Sequence, residues 1–258
     1  MLFASLKQEC KNFLCSKDTK ELALIAIILL SIRTFLFGLF VVPSSSMYPT
    51  LLIGDYIIAS KTIYGYSNHT FPFSPNLFSG RILSDHRPKT GDVIVFRMPQ
   101  DDHKDYVKRV IGQPGDTVQM VQGVLYINGI ESKLKKVGDF EGLNDQQKQI
   151  RTAQYEETLP NGKVHPILKA YPFGSRQYDN TPKYIVPEKH YFVMGDNRDF
   201  SADSRIQFRV DHSNVGFVSE DQLIGHADLI WFSTSAKWWQ PHKWLTSLRL
   251  KRFFTWVS

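Results

Sequence analysis

Asp105-Tyr106-Val107-Lys108-Arg109-Val110-Ile111-Gly112-Gln113-Pro114-Gly115-Asp116 is the stretch that decides how this chain folds. Residues 106–111 alternate along a strand and end in a Gly-Gln-Pro-Gly-Asp turn, where glycine and proline supply the tight backbone angles. Alternation puts Tyr106, Lys108 and Val110 on one face and Val107, Arg109 and Ile111 on the other. The same grammar recurs on both sides. A turn at Gly54 and Asp55 leads into a strand over 56–61, and Gly91 leads into another over 92–97. Residues 117–121 and 124–127 read as a hairpin with Asn128 and Gly129 turning at its end. Later strands are expected at 191–194 and 228–232. Many short runs punctuated by glycine and proline predict a mostly β body with antiparallel or mixed sheets.

That body divides into 43–130 and 188–235, with a smaller subdomain inserted at 131–187. The insert is polar and charged, and a short helix is expected near 143–153. Loops at 64–88 and 206–215 are long. The chain has 258 residues, 42% hydrophobic, with 13 Pro and 16 Gly, enough for one core-forming domain plus appendages.

Residues 22–42 are almost wholly apolar, interrupted by Ser31, Arg33, Thr34 and Gly38. At about 1.5 Å per residue, roughly 20 residues cross a hydrocarbon core of about 30 Å. Arg33 within the span costs on the order of 2.5–3.5 kcal/mol, which the surrounding Leu and Ile outweigh. Pro43-Ser44-Ser45-Ser46-Met47 is a poor small-x-small cleavage site, so the run predicts one uncleaved transmembrane helix. Lys7, Lys11, Lys17 and Lys20 put residues 1–21 in the cytoplasm and the body outside.

The net charge is +6. Its distribution favours a membrane surface over nucleic acid, since the tail at 236–258 carries Lys237, Lys243, Arg249, Lys251 and Arg252 interleaved with Trp238, Trp239, Trp244 and Trp256. No nucleic-acid recognition motif accompanies the charge. Both cysteines, Cys10 and Cys15, precede the apolar run, so the body holds no disulfide and its compartment cannot be read from cysteine usage.

Chemistry concentrates in three segments. Ser46 lies between Pro43 and Pro49, which restrict the backbone and suit a presented nucleophile. No histidine lies in a triad setting, so Lys108 is the candidate base. A lysine at its reference pKa of about 10.4 is a cation and must be buried to lose its proton and serve as a base. The third segment is Met194-Gly195-Asp196-Asn197-Arg198-Asp199-Phe200-Ser201-Ala202-Asp203-Ser204-Arg205. It lacks EF-hand spacing and reads as a polar brace in which acids pair arginines. A rival reading takes Ser132-Lys133-Leu134-Lys135 as an S-x-x-K motif and Lys89-Thr90-Gly91 as K-T-G, in inverted order and without S-D-N. A membrane-anchored binding module without catalysis is the other alternative.

The three segments, in this order and over about residues 40–232, resemble those of bacterial type I signal peptidases. The resemblance implies a β-rich serine endopeptidase that removes signal peptides from exported preproteins at the bacterial inner membrane, as a monomer, with no metal or cofactor. It implies Ser46 as nucleophile, Lys108 as general base and Ser44 as side-chain donor of the oxyanion hole. Ser201 would orient the Lys108 amine, Asp203 and Arg205 would form a supporting pair, and Asp196 would hold Arg109. Phe40, Val42, Met47, Leu51, Ile57, Tyr106 and Val107 match positions lining two pockets for small residues before the cut.

Overall fold

The computed structural model describes residues 17–72, 74–207, 214–236, 243 and 246–258. The apolar run does not form one helix. Helix α1 spans Lys17–Ser31, a widened turn follows over Ile32–Leu36, and strand β1 occupies Phe37–Val41. This corrects the expected membrane helix at 22–42. Composition alone does not separate an apolar helix from an apolar strand. The strand form wins at 37–41 because β1 pairs antiparallel with β2 (Asp55–Ser60), Phe37 opposite Ser60 and Val41 opposite Tyr56. Lys61 locks the change of course, its Nζ donating to the carbonyls of Arg33 and Thr34 at 3.2 Å each. Among the described residues no helix is long and apolar enough to cross a membrane. The apolar side chains of α1, Leu22 to Leu30, are exposed all round, and among the described residues no protein surface covers them. Cys10, Cys15, Lys7 and Lys11 lie outside the described residues.

Among the described residues, three sheets make up the body. The remaining strands are β3 (Val93–Met98), β4 (Asp101–Gly112), β5 (Thr117–Val121), β6 (Val124–Ile127), β7 (Ile130–Glu131), β8 (Lys133–Leu143), β9 (Gln149–Thr158), β10 (Val164–Lys169), β11 (Tyr184–Ile185), β12 (His190–Met194), β13 (Val218–Ser219), β14 (Leu223–Ser233) and β15 (Thr255–Trp256). The main sheet runs β1-β2-β14-β3-β4-β12-β13, with β15 added to β14, and its pairings are antiparallel. The second sheet is β11-β5-β6-β7 and the third is the meander β10-β9-β8. Residues 131–187 are therefore shared between two sheets, since β11 pairs with β5. The turns that close the second sheet use left-handed backbone at Gln122 and Gly123, and at Asn128 and Gly129.

The short helix expected near 143–153 is absent. Those residues end β8, turn, and return as β9, with Leu143 opposite Gln149. Asn144 makes the turn, its Oδ1 accepting the N–H groups of Gln146 (3.0 Å) and Lys148 (2.9 Å).

The C-terminal tail is tied to the body. Arg252 Nη2 lies 2.6 Å and Arg249 Nη2 3.4 Å from opposite oxygens of the fully buried Asp55 carboxylate. Val257 packs on the cluster of Val42, Met47, Leu51, Ile57 and Val95 that fills the space under β1, β2 and β3. Trp238, Trp239 and Trp244 lie outside the described residues, while Phe254 and Trp256 are exposed. Of the long loop at 206–215, residues 208–213 lie outside the described residues too.

Candidate active site

Pro43 and Pro49 bracket a single 3-10 turn, Ser45–Met47. Its two ends are buried and face the core, so Ser46 between them is lifted toward solvent. The loop after β12 braces the turn from behind. The Asn197 N–H donates to Ser46 O at 3.1 Å, and Asn197 Nδ2 donates to Ser45 O at 3.1 Å. Gly195 makes this approach feasible, because a Cβ there would lie 2.5 Å from Ser46 O and 2.2 Å from Ser201 Oγ.

Strand β4 brings Lys108 to the same place, opposite Ile94 of β3. Lys108 Nζ donates to Ser46 Oγ at 2.7 Å and to Val107 O at 3.0 Å. Ser44 Oγ lies 3.2 Å from Ser46 Oγ. Lys108 is only 3% exposed. Burial pushes its amine down to about 8, while the Asp203, Asp196 and Asp145 carboxylates act in the opposite direction. None of these carboxylates touches the amine, so desolvation prevails.

Two buried ion pairs support the floor. Arg109 Nε and Nη2 donate to both oxygens of Asp196 at 2.9 and 2.8 Å, and Arg109 Nη1 donates to Gly91 O at 2.8 Å. Arg205 Nε and Nη2 donate to both oxygens of Asp203 at 2.8 Å each, and Gly195 N–H donates to Asp203 Oδ2 at 3.0 Å. Burial opposes ionisation of both acids, but their arginines and hydrogen bonds win and hold both below the usual carboxylate range.

Ser201 does not fill the place expected of it. Val107 O holds the Lys108 amine, and Ser201 Oγ is buried without a hydrogen bond of normal geometry among the described residues. It sits over Gly195, near enough to Asp203 to help hold that acid ionised. Leu51 and Ile57 also depart from expectation. Both are fully buried in the core beneath the site and do not line it. Phe40, Val42, Met47, Tyr106 and Val107 do line a cleft of about 630 Å3 that also exposes Ser44, Ser46 and Lys108.

Sequence reasoning missed Asn197, Thr50, Val95 and Asp145. Asn197 stood in the third motif beside Asp196 and could have been singled out. Thr50 Oγ1 donates to Asp196 Oδ2, and Val95 lines the cleft. Asp145 comes from the hairpin tip between β8 and β9, and no local signal marks it. The rival S-x-x-K reading does not assemble: Ser132 is fully buried, whereas the Lys135 side chain is 80% exposed beside Glu156.

Known proteins align with this sequence over nearly its whole length. Residues 16–232 match the family described as "Signal peptidase, peptidase S26". The chain is 39% identical over 267 residues to signal peptidase I of Rickettsia prowazekii (strain Madrid E), covering 97% of this chain and 93% of that protein. It is 40% identical over 245 residues to signal peptidase I of Rickettsia typhi (strain ATCC VR-144 / Wilmington), covering 88% of each. Among solved structures, a signal peptidase I from Enterococcus faecalis V583 matches with 24% identity and a TM-score of 0.30, covering 55% of this chain and 98% of its own. From the family match and the rickettsial relatives, this chain belongs to the S26 signal peptidase family and is a serine endopeptidase.

Proposed function

We propose that this protein is a membrane-anchored peptidase that removes N-terminal signal peptides from exported preproteins, using Ser46 and Lys108 as a catalytic dyad. The observation that carries the reading is the 2.7 Å approach of a buried amine to the Ser46 hydroxyl. With its amine pushed down to about 8, Lys108 is neutral in a useful fraction of molecules near neutral pH. The neutral amine takes the hydroxyl proton as Ser46 Oγ bonds to the scissile carbonyl carbon. The Ser44 hydroxyl and the Ser46 N–H meet the oxyanion that forms. Lys108 then passes its proton to the leaving nitrogen, the C–N bond breaks, and the acyl group stays on Ser46. Lys108 next deprotonates a water that attacks the ester, and the acid leaves as Ser46 regains its proton.

Phe40, Val42, Met47, Tyr106 and Val107 give the cleft apolar walls close to Ser46, which supports small residues such as Ala-x-Ala before the cut. An extended substrate suits a cleft walled by strands. Asp203, Arg205, Asp196 and Arg109 keep the floor rigid. Leu51 and Ile57 back the pocket walls from the core.

The bare apolar surface of α1 supports anchoring in the bacterial inner membrane, with the N-terminus cytoplasmic and the catalytic body on the outer face. Its 15 residues rise about 22 Å. Exposed Phe37 at its exit, and Phe254 and Trp256 in the tail, supply apolar contact with lipid at the interface. The protein acts as a monomer in this reading.

The test uses the full chain in detergent and a preprotein with Ala-x-Ala before its cut site. N-terminal sequencing of the product should show one cut after the second alanine, and none with Ser46→Ala. An uncut precursor, or the same product from Ser46→Ala, would refute the proposal.

A further inference from the structure

The apolar walls of the cleft come from β1, β4 and the turn around Met47. Beyond Ser45 and Ser46 the cleft has a different border, which belongs to none of the three motifs: the hairpin tip at 144–148. The tip is held in place rather than draped over the site. Tyr48 OH donates to Leu143 O at 2.7 Å, and the Tyr48 and Phe140 rings pack with centroids 5.1 Å apart. From this frame Asp145 Oδ1 accepts the Ser45 N–H at 2.7 Å. Asp145 lines the cleft together with Ser44, Ser46 and Lys108.

A smaller cavity of about 160 Å3 continues past Asp145, walled also by Ser45, Asn197 and Phe200. Asn197 is 1% exposed, and its Oδ1 has no hydrogen-bond partner among the described residues. A buried amide oxygen left in that state is an acceptor awaiting a donor. Among the described residues no lysine or arginine forms an ion pair with Asp145. The cavity therefore offers one carboxylate with no ion-pair partner among the described residues, one free amide oxygen and the ring of Phe200.

An extended chain whose carbonyl sits on Ser46, with its acyl side between the apolar walls, must send its leaving side the other way. We propose that Asp145, Asn197 and Phe200 form the subsite for the first residues after the scissile bond, and that Asp145 makes the enzyme favour cationic and reject acidic residues there. This rests on the protease reading above. The unpaired carboxylate attracts a lysine or arginine side chain and repels an aspartate or glutamate across a few ångströms of partly dry cleft. Asn197 Oδ1 takes a backbone N–H of the same segment. The newly released amino group, once protonated, leaves past the same carboxylate.

The test compares three peptides identical up to the cut, with Lys, Gln or Glu at the first two positions after it. The full-length wild-type enzyme should give kcat/KM in the order Lys, Gln, Glu, with a Lys-to-Glu ratio of about tenfold or more at low salt that shrinks as salt is raised. Asp145→Asn retains an oxygen for the Ser45 N–H and removes only the charge, so its ratio should fall close to one. Asp145→Glu should preserve the preference. A ratio in Asp145→Asn equal to the wild type's overturns the proposal. So does a loss of activity in Asp145→Asn that is equal for all three peptides, because that marks a purely structural contact. Cleavage that persists in Ser46→Ala would instead overturn the protease reading, and the subsite with it.

Discussion

Strands β4 and β10 each end up burying a lysine, and the two lysines are opposites. Lys169 of β10 is 4% exposed, with its Nζ 2.8 Å from Asp179 and 2.5 Å from Asp199. Lys108 of β4 is 3% exposed, but its Nζ touches a hydroxyl and a carbonyl and no carboxylate. Lys169 is a cation locked between two anions and serves as a rivet between β10 and the loop after β12. Lys108 lacks a contacting counter-ion, so desolvation pushes it down to about 8. Burial alone does not make a base. Lys108 is buried with a hydroxyl beside its amine and no carboxylate in contact with it, the setting a lysine base requires.

The largest effect that could break this contrast is on catalysis. Lys108→Met should lower kcat/KM for an Ala-x-Ala peptide at least a thousandfold, on the order expected for loss of a dyad member, with the unfolding transition retained. A variant cutting within tenfold of wild type would place the base elsewhere. Next in size, Lys169→Met should destabilise the fold by about 3–5 kcal/mol in urea titrations, because Asp179 and Asp199 are left buried and unpaired. A loss below 1 kcal/mol would show that Lys169 is no rivet.

Lys108→Met should act in the reverse direction on stability. An amine at about 8 in the folded state and about 10.4 unfolded binds fewer protons when folded. Its burial therefore costs roughly 3 kcal/mol below pH 8, less as pH rises, and nothing above about 10.4. The variant should be more stable than wild type by about that amount at pH 7, and the gain should fade between pH 8 and 10. The same amine predicts a wild-type rate that climbs with pH through about 8. The smallest effect sharpens the picture. Asp145 holds the Lys108 amine up from a distance, so Asp145→Asn should move that climb to lower pH. A shift to higher pH would contradict the charge geometry of the cleft.

Much of the fold was legible because its signals are local. Glycine and proline turns delimit β2, β3, β4 and β5, and Asn128 with Gly129 marks the turn it was expected to mark. The split of the apolar run was not legible. What converts residues 37–41 into a strand is pairing with β2 and the grip of Lys61 on Arg33 and Thr34, both outside the run. Residues 143–153 misled for a similar reason. Their glutamines and lysine suit a helix, but the ladder between β8 and β9 outweighs propensity. In the site, Ser46 and Lys108 stood out through their motifs, and the structure brings them together. Pocket geometry was less readable. Leu51 and Met47 are buried in one cluster and only Met47 also lines the cleft, a distinction no local pattern marks, and Asp145 enters from a hairpin tip far along the chain.

The junction between α1 and β1 has a mechanical consequence. The helix passes into the catalytic sheet through five residues, and Lys61 ties that passage to the end of β2. Strand β1 climbs about 3.3 Å per residue, so its five residues carry the chain roughly 17 Å beyond the turn before the segment of Ser46 begins. If α1 is embedded in lipid as proposed, the enzyme would be a yardstick standing on the bilayer surface. It would choose cut sites by their altitude as well as by their side chains, and lengthening the turn would move the blade.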